Sequence, residues 1–481
     1  MLSSHNPHLP EHERSAIRII PFIVGCALFM QMLDATVVAT AIPAMAHALN
    51  TTPVSMNVAI TSYLLALAVF VPISGWAGER FGARRVFVAA IALFSIASMA
   101  CALSQTLQHL VIARVIQGLG GAMMVPVGRI IMLQRTPKED LLKAMSFLAM
   151  PALLGPIMGP PLGGFLVTYT SWHWIFLINL PAGVLGIYLT LKYIRADLPT
   201  HSRPLDWIGF LLSGIALAAF VWGFESIGNT ATTAEETLGL IGIGALCGAL
   251  YVWHSRRHPH PIIDLGLLRI PSFAMSVLGG NLCRFMVGGM PFLLAILLQV
   301  AFDMSAFAAG MITFTSAAGA LLMKFIATRV IEAFGYKRVL TTNALISGAL
   351  VTLCAFFQPT TPFWLMIVIL AIGGIFRSLL FTAVNTLTYA ELGPDQMSKA
   401  STFAAMAQQL GISLGVGCAA LVMNISMNAR GASSLVQTDV AWGFVAIGGA
   451  SMLSFFSFIR LPANATAALQ QRTTRQADNA R

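Results

Sequence analysis

Charge is what this sequence has least of. Asp, Glu, Lys and Arg together make up 10% of its 481 residues, against roughly 25% in soluble domains. A water-facing surface for a chain this long cannot be built from so few, so the soluble multidomain protein that length alone suggests is excluded. Cysteine is also scarce. The six (Cys26, Cys101, Cys247, Cys283, Cys354 and Cys418) all fall inside apolar runs, with no CxxC pair and no metal-ligand spacing, and read as small packing residues. There is no Gly-x4-Gly-Lys-Ser/Thr segment and no soluble stretch to hold one, which excludes an ATP-driven pump. No histidine cluster sits within an apolar run and no Ser-His-Asp set is visible, so neither an enzyme, nor a cofactor, nor a metal centre is expected. The Ala39-Thr40-Ala41 triplet mimics a signal-peptidase site, but the run before it is too long and carries Asp34; it reads as a first membrane span.

What is abundant is apolar sequence, at 57%. At about 20 residues per bilayer-spanning helix this supplies about fourteen spans. The runs are too long for barrel strands, which would be about ten residues of alternating polarity. Apolar runs from 17–42 to 440–460 divide the chain into a tail (1–16), a six-helix half (17–193), a linker with two further spans at 206–226 and 237–254 (194–270), a second six-helix half (271–460) and a tail (461–481). Of the 28 Lys and Arg, 23 then fall on one side, and only Arg430 falls on the other. Such a bias places both termini in the cytoplasm, and it accounts for the net charge of +10 without a nucleic-acid partner. An internal repeat supports two parallel halves. Glu79-Arg80-Phe81-Gly82-Ala83-Arg84-Arg85-Val86 matches Glu332-Ala333-Phe334-Gly335-Tyr336-Lys337-Arg338-Val339, each between the second and third helices of its half.

Four segments carry candidate chemistry. Asp34 is the only acid well inside a span, with Gln31 three residues earlier on the same face. Burial favours a neutral acid and a nearby cation favours a carboxylate, so a moving partner loads and unloads a proton; a static ion pair is the plain alternative. In the fourth span, Arg114, Gln117, Gly118 and Gly121 share one face, and Arg114 is the natural counter-ion. The loop Gly75, Gly78, Glu79, Arg80, Gly82, Arg84 and Arg85, with Glu332, Gly335, Lys337 and Arg338 in its repeat, reads as a cytoplasmic gate in which Glu79 and Glu332 pair across the halves. The fifth span has a small-residue stripe, Gly155-Pro156, Gly159-Pro160 and Gly163-Gly164, that suits close helix contact and bending, a pivot between halves.

Together these segments resemble the major facilitator superfamily, specifically its fourteen-span drug:proton antiporter branch of the EmrB/QacA type, and within it the small bacterial MdtD/HsrA-like members. The likeness covers nearly the whole chain and includes Ser171-Trp172-His173-Trp174 to Pro181 at the start of the sixth span. The loop departs from the usual pattern with Glu79 for Asp and Ala83 for a basic residue, and His173 stands where the branch has Arg. The resemblance implies an all-α integral membrane protein of fourteen helices arranged 6 + 2 + 6. It also implies a secondary active exporter of small amphipathic compounds, driven by the proton gradient, in the bacterial inner membrane. The alternative is an exporter of one defined metabolite (a sugar, siderophore or amino-acid derivative). Expected partners are a small-molecule substrate and membrane lipid, with a periplasmic adaptor left open. The 155–164 stripe, absent from most symporters, argues against an importer.

Cargo charge can be read as well. Arg284, with Asn281 one turn before it, and Arg377, with Asn385 further along the same run, fall at mid-depth in a half with no central carboxylate. Such a cavity repels dications and favours neutral, zwitterionic or anionic amphipathic cargo, unless both arginines are spent on backbone carbonyls.

Overall fold

The computed structural model describes residues 11–135, 141–195, 204–227, 232–259, 261–392, 396–432 and 434–461. Most of both expected tails, and residues 196–203, 228–231 and 260 of the linker, therefore lie outside the described residues. The elements are α1 (Glu11–Ala48), α2 (Asn57–Phe81), α3 (Ala83–Ala102), α4 (Leu107–Arg135), α5 (Leu141–Tyr169), α6 (Trp174–Leu177), α7 (Asn179–Tyr193), α8 (Trp207–Ser226), α9 (Ala234–Ser255), α10 (Pro271–Ile296), α11 (Ala306–Phe334), α12 (Tyr336–Leu353), α13 (Phe363–Thr388), α14 (Met397–Ala429) and α15 (Gln437–Ile459). No strand occurs among the described residues. Among the described residues, thirteen segments are long and apolar enough to cross a membrane, and α5 is a further helix of 29 residues.

Local sequence sets several boundaries. Thr233 and Glu236 form a reciprocal capping box at the start of α9. Ser305 caps α11 through Ala308 N, and Pro271 opens α10, where its missing N–H costs nothing. Gly82 and Gly335, the matching glycines of the repeat, each join two helices directly with φ of 87° and 79°. A side chain tolerates this backbone poorly, so the repeat preserves a turn. The sixth span is interrupted at Ile178 between α6 and α7. Pro181 has no N–H to offer the Leu177 carbonyl one turn back. Beyond α10, Leu297–Ala301 winds as a π-helical turn.

Small residues bring the helices close, as expected where lipid supplies no hydrophobic drive between them. A Cβ on Gly118 would strike Ala66 and Tyr63 of α2, and one on Gly120 would strike the backbone of Phe94 in α3. In the second half Gly288 lies on Ile412, Gly374 on Ser316 and Gly348 on Gly448. The outer surface carries large apolar side chains such as Leu103, Phe325 and Trp364, as a lipid-facing surface requires.

The halves meet on the side opposite Gly82 and Gly335. Gln299 Nε2, in the π turn, donates to Thr40 O at 2.9 Å. Phe307 N donates to Thr168 Oγ1 at 3.0 Å, and Ser413 Oγ to Thr61 O at 3.5 Å. On the Gly82 side, Glu79, Arg80, Phe81, Glu332 and Phe334 are exposed. The two helices of the linker pack on one another, and α8 leans on both α2 and α14, with Trp207 against Trp76 and Phe210 against Phe70. Only 11% of the apolar window of α9 is buried, so that helix presents itself to lipid.

Candidate functional site

The buried polar network of the first half is built from five helices. Asp34 lies in the middle of α1 and Arg114 in α4, and both side chains have no exposed surface. Arg114 Nη1 donates to Asp34 Oδ2 at 2.6 Å and to Gln117 Oε1 at 2.6 Å. Its Nε donates to the Ala59 carbonyl at 3.0 Å. Its guanidinium carbon stands 4.1 Å from the centre of the Tyr63 ring, a cation–π contact that replaces part of the lost hydration. Gln117 Nε2 donates to Asp34 Oδ1 at 2.9 Å and to Ser98 Oγ at 2.6 Å. Asn179 Nδ2, at the start of α7, donates to the same Asp34 oxygen at 3.1 Å and to Ser98 at 3.0 Å. The carboxylate is thus held by one cation and two amides, while Arg114 Nη2 is buried without a partner.

The spacing of Arg114 and Gln117 placed them on one face, and the fold brings both to Asp34. Sequence reasoning did not assign Asn179, Ser98 or Tyr63 to the site; the polar Asn179 inside an apolar run was the available signal. Gln31 is buried nearby, its Oε1 without a hydrogen bond.

The small-residue stripe of α5 has two contacts. Toward α1, a Cβ on Gly155 would strike Met32, one on Gly159 would strike Thr36, and one on Gly163 would strike Thr40 and Val37. These positions bracket Asp34. Toward the second half, Gly164 abuts the Ala306 backbone, and the Pro160 carbonyl lies against Gly310 of α11. Pro156 is partly buried in the same helix. One helix therefore touches both the acid-bearing helix and the other half.

Of the expected gate residues, Glu79, Arg80 and Glu332 are exposed. Arg84 Nη2 donates to the Leu191 carbonyl at 2.6 Å, which ties the loop to its own half. Arg85 and Arg338 are exposed and Lys337 is partly so. A Cβ on Gly75 would meet open space, whereas Gly78 sits on Val127 and Ile130.

In the second half, Arg284 Nη1 donates to Asn281 Oδ1 at 3.0 Å and Nη2 to Asn385 Oδ1 at 3.1 Å. Arg377 Nη2 bonds Ser316 Oγ. Neither is spent on a backbone carbonyl. Both line one small cavity between α10 and α13.

The fold also gathers Asp206, His254 and His258, with their ligand atoms within 4.8 Å of one another, a grouping that no sequence spacing displayed. The signal was hidden because Asp206 is 48 residues from His254. Asp206 is the N-cap of α8, accepting from Gly209 N. It also accepts from His254 Nε2 at 2.7 Å and from Ile262 N at 3.3 Å. Burial alone would raise its pKa, but these donors outweigh it and hold the carboxyl below its usual value. On the far side Arg430, the lone basic residue there, is spent on buried Asp439, a clamp between α14 and α15.

Two packed helical halves with apolar exteriors, a sealed acid–base network in one and a basic cavity in the other, define a multi-pass membrane transporter rather than an enzyme. The sequence profile of the Major Facilitator Superfamily matches residues 24–278 and 276–477, and the chain belongs to that family. It is 37% identical over 415 residues to the "Putative multidrug resistance protein MdtD" of Cronobacter sakazakii, covering 86% of this chain and 87% of that one. It is 36% identical over 458 residues to the protein of that name from Escherichia coli O6:H1, covering 94% and 96%. Its likeness to the drug:proton antiporter branch, MdtD-like members included, therefore holds. Solved structures share the fold. A POT family peptide transporter described as auto-inhibited superposes with a TM-score of 0.67 at 13% identity, covering 92% of this chain and 96% of that one. A bacterial homologue of the human lysosomal transporter Spinster, in an inward-facing and unoccupied conformation, gives 0.60 at 17% identity, covering 97% and 98%.

Proposed function

We propose that this protein is a secondary active exporter that exchanges protons for small amphipathic compounds across the bacterial inner membrane, with both termini cytoplasmic and fourteen spans arranged 6 + 2 + 6. The observation that carries this reading is Asp34, fully buried and held by Arg114, Gln117 and Asn179. A carboxylate in hydrocarbon surroundings is costly and is retained where it does work. Protonating Asp34 removes the charge that holds Arg114. The contact between α1 and α4 then loosens, while α1 remains packed along the stripe of α5. Because the other face of α5 lies on α11, a shift of α1 is passed to the interface between the halves. The contacts between the halves lie on the side that the basic loops assign to the exterior, so this is an inward-facing state, ready to take cargo from the cytoplasm. Glu79 and Glu332 then act in the opposite state, closing the cytoplasmic gate. The names of the curated relatives support drugs as cargo. The amide-lined Arg284 supports the second reading, one defined metabolite, since paired amides and a fork of donors select shape.

Everted vesicles test the mechanism. An imposed inward-acid gradient should drive uptake of the exported compound, and collapsing the gradient or substituting Asp34→Asn should stop it. Undiminished gradient-driven transport by that variant overturns the reading.

A further inference from the structure

The group formed by Asp206, His254 and His258 takes no part in the transport machinery described above. It sits where the linker helices begin and end. Asp206 is the N-cap of α8, and His254 lies in the last turn of α9. The two histidines are four residues apart, and His258 N still donates to the His254 carbonyl at 2.9 Å. Their imidazoles therefore project from one helical face, with ring centres 5.2 Å apart. His254 Nε2 is 2.7 Å from Asp206 Oδ1. Among the described residues no other trio of His, Cys, Asp or Glu side chains comes this close. Asp206 is 6% exposed and both histidines are partly exposed, so the carboxylate forms the floor of the group and the imidazoles its open side. Both oxygens of Asp206 are fixed from behind, Oδ1 by Gly209 N at 2.8 Å and Oδ2 by Ile262 N at 3.3 Å. Tyr251 Oη, on α9, donates to the Ile263 carbonyl at 2.7 Å and accepts from Ile263 N at 2.9 Å, which pins the chain beyond the group against the same helix.

We propose that Asp206, His254 and His258 bind a divalent transition metal of the zinc class, which staples the start of α8 to the end of α9. Two imidazoles one helical turn apart and a carboxylate from another helix are a donor set that suits zinc, whereas magnesium and calcium take oxygen ligands. Ligand atoms about 2.0–2.2 Å from a tetrahedral zinc stand roughly 3.3 Å from one another. Asp206 and His254 are already within that separation, and a trio spanning no more than 4.8 Å closes by a turn of the partly exposed His258 ring. When the metal enters, His254 Nε2 gives up its hydrogen bond to Asp206 and the ring keeps its proton on Nδ1. The Gly209 and Ile262 amides remain as the outer hydrogen bonds that orient the carboxylate. Three protein ligands leave a fourth position to water. The staple acts at a junction between the halves. Trp207, next to Asp206, packs on Trp76 of α2, and Asp264, just beyond Ile263, pairs with Lys399 of α14 at 3.1 Å. A filled site thus fixes the linker against one helix of each half.

The experiment uses the full-length protein without a polyhistidine tag, stripped by a chelator, in a neutral detergent, with zinc chloride as the probe. Titration calorimetry reads the affinity. Hydrogen exchange reads the Gly209 and Ile262 amides, which bond Asp206. Zinc should bind at this site once per chain and slow exchange at both amides, and about a tenfold excess of magnesium should not displace it. His258→Ala leaves the hydrogen bond between Asp206 and His254 in place, so this variant should unfold like the wild type in the presence of chelator. It should nevertheless bind zinc at least about tenfold more weakly and lose the slowed exchange. Asp206→Asn should weaken zinc at least as much. His5, His8 and His12 offer a rival set of imidazoles in the sequence, and replacing all three with Ala should leave the zinc-dependent slowing intact. Zinc affinity indifferent to both His258→Ala and Asp206→Asn, loss of the slowing in the tail variant, or bound zinc without slower exchange at Gly209 and Ile262 overturns the proposal. Neither gradient nor cargo is present, so the outcome is independent of the exporter reading.

Discussion

Replacing Asp34 with Asn tests how the first half holds its buried charge. The substitution removes the only counter-charge of Arg114 in a site where neither side chain is exposed. Breaking a buried pair from one side costs about 3–5 kcal/mol, because the remaining charge has no water to turn to. Arg114 keeps the Ala59 carbonyl and Gln117 Oε1, and the introduced amide would keep an oxygen for the Gln117 and Asn179 donors. The loss should therefore fall near the lower limit, about 3 kcal/mol. Because the pair is sealed, stability should fall together with transport. The double variant Asp34→Asn/Arg114→Gln buries no unpaired charge. It should be more stable than the sum of the single changes by about 2 kcal/mol, the coupling expected of side chains in one network. Unfolding of all four proteins in one detergent measures the cycle, and vesicle transport measures function. The double variant should regain stability without regaining proton-driven transport. Strict additivity would mean that the pair contributes nothing as a pair, and the account of Asp34 as the charge that holds α4 would be wrong.

Gly82→Ala and Gly335→Ala should each cost about 1–3 kcal/mol, because both positions have a φ that side chains rarely adopt; equilibrium unfolding checks this, and a neutral Gly335→Ala would contradict the shared turn. Gly159→Val should leave the protein in the membrane but stop transport, since its side chain must displace Thr36 beside Asp34, at about 1–3 kcal/mol of overpacking; surface expression compared with vesicle flux separates the two effects. Asp206→Asn should cost about 1 kcal/mol at neutral pH through loss of the charged acceptor for His254 Nε2, since Asn caps α8 about as well as Asp does. The donors hold the folded carboxyl below its usual value, so this contribution is present above the ordinary carboxylate pKa and is lost as pH falls through the lower folded value. The gap between wild type and variant in a pH series of unfolding midpoints should close on acidification through the carboxylate range.

The sequence by itself determined the class of protein and its all-helical, many-span character, because the cost of exposing polar backbone to lipid leaves long apolar runs no other structure. It determined the repeated turn, since Gly82 and Gly335 are needed for backbone reasons that are local. It also paired Asp34 with Arg114 and Gln117, because helical spacing puts the last two on one face and a buried acid needs a cation. Tertiary structure alone decided the rest. Asn179 and Ser98 reach Asp34 from helices whose rotation the sequence does not encode locally. The π turn that delivers Gln299 to Thr40 depends on how α10 meets the other half. Asp206 meets His254 only because α8 and α9 pack antiparallel and bring residues 48 apart to within 2.7 Å. The side on which the halves close is also a tertiary matter. The same helices, with the same local energies, satisfy either closure, and the contacts across the interface, those of Thr40, Thr61, Thr168 and Gly164 among them, select the one seen here.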